Sequence, residues 1–182
     1  MKHKILYLIL ITILITSNQL KAQLPIIKSD ADSLIQLGKD YVYNVEFIKA
    51  GQCFKEVIKR YPAHPAGYFL DAMIEWWKIN LYRRTEKNDN LFLKKIEKVI
   101  EVCDAELRKD PSDVKSLFFK AGAMGFRGRY YAMRKSWFPA INDGSNAYNI
   151  LIDLLKIAPQ NYDIMLGTGL YCYLAAVLPE KY

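Results

Sequence analysis

Apolar residues recur at helical spacing along most of the chain, and the pattern predicts seven helices. The first covers residues 29–43, with Ser29 or Asp30 as its cap, and a turn at Asn44 leads into a second over 45–61. A third covers 65–82 and a fourth 91–109, with the polar stretch 83–90 as the loop between them. In the fourth, Phe92, Ile96, Val99, Ile100, Cys103 and Leu107 form one apolar stripe. Asp104 precedes Arg108 by four residues, as a surface ion pair on that helix would. The fifth runs from 112 to about 134, followed by a turn at Trp137-Phe138-Pro139. A sixth helix, irregular near Asn142-Asp143-Gly144, ends at Ala158, and the last covers 162–178.

Three prolines punctuate this pattern at matching places. Tyr61-Pro62, Asp110-Pro111 and Ala158-Pro159 each close one helix and open the next, 49 and 48 residues apart. Small residues sit early in the helices that follow, at Ala72, Gly122 and Gly169, with Gly38 before the first proline. Counted from Ala31 as position 1, Leu34, Leu37, Gly38, Tyr41, Ala50, Phe54, Val57 and Pro62 fall at 4, 7, 8, 11, 20, 24, 27 and 32. That spacing resembles a tetratricopeptide repeat, which carries a large residue, Leu-Gly, Tyr, Ala, Phe, Ala and Pro at those places. Val57 stands where the repeat has Ala, and Leu34 where Trp is commoner. Gly38 and Ala50 would let two antiparallel helices approach closely, while Tyr41 and Phe54 fill the gap between repeats.

The later units match more loosely. Tyr68, Ala72 and Pro111 mark the second, and Phe118, Gly122, Ala147, Leu151, Leu154 and Pro159 the third, with insertions of about 15 and about 13 residues. Lengthening both helices of each hairpin by about two turns would absorb them. The resemblance implies an all-α fold, antiparallel helical hairpins stacked as a right-handed solenoid. Its units would be about 31–64, 65–113 and 114–161, with a partial unit over 162–182. It also implies a concave groove lined by the first helix of each unit. Carried onto this sequence, it places Tyr43, Phe69, Trp76, Trp77, Phe119, Phe126 and Arg127 there. Such a groove would take an apolar peptide; the alternative is that these rings pack the taller hairpins.

Residues 125–137 interleave Arg127, Arg129, Arg134 and Lys135 with aromatic rings. The segment reads either as a surface for anionic lipid, glycan or an acidic partner, or as a helix end whose cations cover the rings. Gly122, Gly125 and Gly128 are spaced by three and predict one helix stripe that permits close packing; no strand precedes them, as a dinucleotide loop would require. The last helix is apolar nearly all round over 170–178, which predicts burial on both sides by further repeats beyond 182 or by a partner.

Residues 1–22 read as a secretory signal peptide. Lys2 and Lys4 precede an uncharged run from Ile5 to Thr16, too short to span a bilayer, and cleavage is expected after Ala22. No Cys follows to anchor a bacterial lipoprotein, so the product, with a linker over 23–30, is expected in the periplasm or at the outer membrane. Removing Lys2, Lys4 and Lys21 with the leader takes the net charge from +7 to +4, too small to indicate a nucleic-acid binder. Cys53, Cys103 and Cys172 have neither metal nor redox spacing and read as buried small hydrophobes, or as one Cys53–Cys103 disulfide. His64 is the one histidine outside the leader, and no two carboxylates pair in an apolar stretch as a catalytic dyad requires. These features predict an exported adaptor without catalysis, cofactor or metal, binding a protein or peptide partner. The alternative is an envelope-associated carrier that meets lipid or glycan through residues 126–137.

Overall fold

The computed structural model describes residues 29–181; the expected signal peptide lies outside the described residues, with all but the end of the linker. Those residues are all-helical: α1 (Ser29–Tyr43), α2 (Phe47–Arg60), α3 (Pro65–Leu81), α4 (Asp89–Leu107), α5 (Val114–Met133), α6 (Trp137–Ile157) and α7 (Tyr162–Lys181). Trp137-Phe138-Pro139 is not a turn but the first turn of α6, where proline forfeits no intrahelical hydrogen bond. α6 then continues unbroken through Asn142-Asp143-Gly144, and α7 runs past Pro179.

The three proline junctions are one device used three times. His64, Asp113 and Asn161 donate their backbone N–H to the carbonyls of Tyr61, Asp110 and Ala158, at 3.0, 3.1 and 3.1 Å. Proline occupies the second place of each turn, where its fixed φ fits. The residue closing the turn then caps the next helix. His64 Nδ1 accepts from the Ala66 N–H, Asp113 Oδ2 from Ser116, and Asn161 Oδ1 from Asp163 and Ile164.

A second device closes two of the opposite ends. The N–H groups of Glu46 and Ser136 reach back to the carbonyls of Tyr41 and Tyr131 at 2.8 Å, and those of Val45 and Lys135 to Val42 and Ala132 at 3.0 Å. This helix-ending geometry demands a left-handed residue, usually glycine. Here Val45 (φ 63°) and Lys135 (φ 62°) supply it. Helix lengths locate the insertions: α1 and α2 have 15 and 14 residues, whereas α5 and α6 have 20 and 21. In the middle pair α3 has 17 and α4 has 19, and the polar connection over 82–88 takes up the rest.

Consecutive helices pack with their residue numbers running in opposite directions. Ala31 shares a cluster with Val57, while Gly38 meets Phe54; Asp104 binds Lys120, while Asp89 binds Arg134. α3 and α5 instead run in the same direction, since Phe69 meets Phe119 and Trp76 meets Phe126. The largest core lies among α3, α4 and α5, around Met73, Trp76, Ile79, Phe92, Ile96, Val99 and Tyr130. The predicted α4 stripe is buried there except for the half-buried Leu107. Asp104 reaches across to Lys120 Nζ at 2.6 Å, so the expected surface pair with Arg108 gives way to a tie between helices.

Small residues act more selectively than their spacing suggests. A methyl group on Gly38 would come within 2.4 Å of the Phe54 ring, so Gly38 faces Phe54, while Ala50 packs with Cys53, Phe54 and Ile74. The three α5 glycines do not share one contact. Gly128 lies against the α6 backbone at Ala140 and Gly144, Gly122 lies against Phe69 of α3, and Gly125 meets open space. Cys53 and Cys103 are buried and Cys172 is exposed, and all three are free thiols. The Cys53–Cys103 bridge is therefore not formed, and Cys172 is not a core residue.

Candidate partner-binding surface

Helical spacing on α3 and α5 brings the aromatic residues of the two helices together as a ladder. Phe69 contacts Phe119 and Phe126 edge-on, with ring centroids 5.5 and 5.8 Å apart, and Trp76 contacts Phe126 at 5.4 Å and Phe92 at 5.7 Å. Edge-to-face geometry sets the positive rim of one ring on the negative face of the next. Of the residues expected on a groove, Trp76 is buried in this ladder and Phe69, Phe119 and Phe126 are half-buried against the same core. Tyr43 and Trp77 reach solvent.

Buried carboxylates then fix how the helices sit. Glu75, Asp89 and Asp143 are all buried, and each is bound by a cation from a neighbouring helix. Lys95 Nζ lies 2.9 Å from Glu75 and 3.0 Å from Asp71, one lysine shared by two carboxylates a helical turn apart. Arg134 binds Asp89 through two nitrogens at 2.7 and 2.8 Å, and Tyr130 donates its hydroxyl to the same carboxylate at 3.0 Å. Burial, together with Asp89, pushes the Tyr130 phenol up to about 12. Arg127 forms a similar fork with Asp143 at 2.6 and 2.9 Å and also binds Glu97. These bonds hold both guanidinium groups above their ordinary value.

The basic segment divides accordingly. Arg127 and Arg134 serve helix packing, and Arg134 also donates to the carbonyls of Arg83 and Thr85 at 3.2 and 2.9 Å. Arg129 lies on the surface with its guanidinium 5.3 Å from the centre of the Trp76 ring, covering it. Lys135 sits exposed in the α5–α6 turn.

Sequence reasoning placed the apolar character of α7 but not its direction. Ile164 is buried against α6, Gly167 lies beneath Leu151, and Tyr171 stacks on Tyr148 at 4.4 Å. Tyr162, Leu166, Leu170 and Tyr173 lie on the other side and are exposed. One flank is covered and the other is not, so the helix is not buried on both sides among the described residues. The Asp71–Glu75 pair, one turn apart on α3 and sharing Lys95, corrects the expectation that no two carboxylates pair in an apolar stretch. Its signal was two carboxylates four apart on a helix otherwise rich in apolar residues.

Among the described residues no three His, Cys, Asp or Glu side chains come together as a metal cage, and no helix is long and apolar enough to cross a membrane. Neither protein-family models nor curated protein sequences give a match to this chain.

Proposed function

We propose that the protein is an exported, non-enzymatic scaffold of stacked helical hairpins, of the tetratricopeptide kind, that holds a protein partner along an exposed helix. Repeated proline turns with matching caps support the stacked reading, as does the shared direction of α3 and α5. The exported part of the reading rests on the leader pattern of residues 1–22. The observation that carries the binding role is the flank of α7 that no other helix covers among the described residues. Leu166, Leu170 and Tyr173 form an apolar stripe of the kind that elsewhere in this chain receives another helix. An amphipathic helix suits it, since large anchors at helical spacing would seat between these side chains.

The interior polar groups support a structural role. Glu75, Asp89 and Asp143 each bind a cation, and His64 spends Nδ1 on a helix cap. Fluorescence anisotropy with a panel of amphipathic helical peptides tests the reading. Binding should fall at least tenfold in a Leu166→Ser/Tyr173→Ser double variant whose circular dichroism is unchanged. Peptide affinity that survives this change, or that no panel member shows, would remove α7 as the binding surface.

A further inference from the structure

The two ends of the helix stack differ in what they offer solvent. At the proline junctions the exposed large apolar side chains are Ile157 and Tyr162, which flank 158–161; none is exposed at 61–64 or 108–113. The opposite end carries the α1–α2 turn, the α3–α4 connection and the α5–α6 turn, and there such side chains crowd. Ile48 is 82% exposed and Phe138 86%, and Tyr43, Val45, Leu81, Tyr82 and Trp137 are exposed beside them. Two contacts place these three tips together. Arg134 of the α5–α6 side bonds the carbonyls of Arg83 and Thr85, and Lys78, in the last turn of α3, lies 5.6 Å from the Phe47 ring centre at the start of α2.

Charge at this end is unbalanced. Arg83, Arg84, Lys87 and Lys135 are exposed, against Glu86 as the exposed carboxylate of the same segments. Asp89 is buried on Arg134, Glu46 is paired with Lys49, and Asp40 lies a turn back from the tip. Val45 holds a left-handed conformation that a β-branched residue rarely adopts, where glycine would be unstrained, and its side chain is exposed.

We propose that this end docks the protein on an anionic lipid bilayer, with Ile48, Phe138 and Trp137 entering the headgroup boundary and Arg83, Arg84 and Lys135 meeting lipid phosphates. The proposal goes beyond the α7 reading, because it uses a different surface and leaves α7 free for a protein partner. It also excludes Arg127 and Arg134 from lipid contact, since both are held within the fold.

Co-sedimentation of the full chain with phosphatidylglycerol–phosphatidylcholine vesicles tests it, with neutral phosphatidylcholine vesicles as the reference. Anionic vesicles should bind at least tenfold more tightly, and an Arg83→Gln/Arg84→Gln/Lys135→Gln variant should lose most of that preference and its salt dependence. An Ile48→Ser/Phe138→Ser variant should lose about tenfold on both vesicle types. Quenching of tryptophan fluorescence by brominated lipid isolates this end from the leader, which every variant shares. Quenching should disappear in Trp137→Phe and persist in Trp77→Phe. Equal binding to both vesicle types, or quenching that follows Trp77, overturns the proposal. Loss of vesicle binding on Leu166→Ser/Tyr173→Ser with the tip variants intact would overturn it too, and transfer lipid contact to α7.

Discussion

α3 and α7 begin alike and end in opposite circumstances. Each follows a proline turn and a side-chain cap, so counting from His64 and Asn161 sets Phe69 against Leu166, Ala72 against Gly169, Met73 against Leu170, Glu75 against Cys172 and Trp76 against Tyr173. In α3 these places face α4 and α5. Met73 is 9% exposed and Trp76 5%, whereas Leu170 is 49% and Tyr173 62%. Equivalent places thus hold similar apolar residues whose burial depends on what packs over them. Amphipathicity belongs to the helix, and burial belongs to the neighbour.

The comparison breaks first at the tryptophan. Trp76→Ala should cost ~3–5 kcal/mol through the cavity left among Phe92, Phe126 and Met73. Tyr173→Ala should stay within ~0.5 kcal/mol, as an exposed substitution does. Urea unfolding followed by circular dichroism measures both, and a Tyr173 variant as damaging as the Trp76 one would mean that the open flank is covered in solution.

The next contrast is ionic. Lys95→Met removes the cation that Asp71 and Glu75 share, leaving the buried Glu75 with Lys78 alone, and should cost ~1–3 kcal/mol. Cys172→Ser at the matching place of α7 should change stability by less than ~0.5 kcal/mol. Equal effects in the same unfolding assay would show that the ion pair is not what ties α3 to α4.

Caps give a smaller, pH-dependent difference. Burial, reinforced by Lys115 and opposed by Asp113, holds the His64 imidazole below its ordinary 6.5. The folded state therefore prefers the neutral ring whose Nδ1 accepts from Ala66, and the unfolded chain takes up the proton first. This contribution is complete above pH 6.5 and fades as pH falls through the folded value. Stability measured between pH 5 and 8 should lose this slope in His64→Asn, which copies the cap of α7. A slope unchanged in that variant would assign it to other groups.

The smallest effect concerns the small residues. Gly169 meets open space, so Gly169→Ala should stabilise by up to ~1 kcal/mol, while Ala72→Gly in the packed α3 should lose about as much or more. Thermal melting distinguishes the signs. A Gly169→Ala chain that melts earlier would point to something seated on that position.

Much of this arrangement was legible beforehand, for local reasons. Proline fixes φ and withholds a donor, so Pro62, Pro111 and Pro159 marked helix boundaries whatever the rest of the chain did. Asn161, a short polar residue just before the apolar run of α7, caps that helix through Asp163 and Ile164. Pro139 misled because proline suits the first turn of a helix as well as it suits a turn. The α5 glycines misled differently. Their spacing gave a helix and a stripe, but which of α3, α6 or solvent each would meet depends on the crossing of three helices.

The candidate binding residues divide in the same way. Phe69, Trp76, Phe119 and Phe126 were visible as aromatic residues at helical spacing, and so were the cations of residues 127–135. Their employment was not visible. That Arg134 would bind Asp89 and Arg127 would bind Asp143, with partners 45 and 16 residues away, follows from which helices lie side by side. By itself the sequence settled the helical class and the three proline junctions, because each rests on interactions among residues a few places apart. Tertiary structure decided which apolar stripe was covered, which cation was spent on a buried carboxylate and which end of the stack bared its aromatic residues, because burial and ion pairing are set by neighbours distant along the chain.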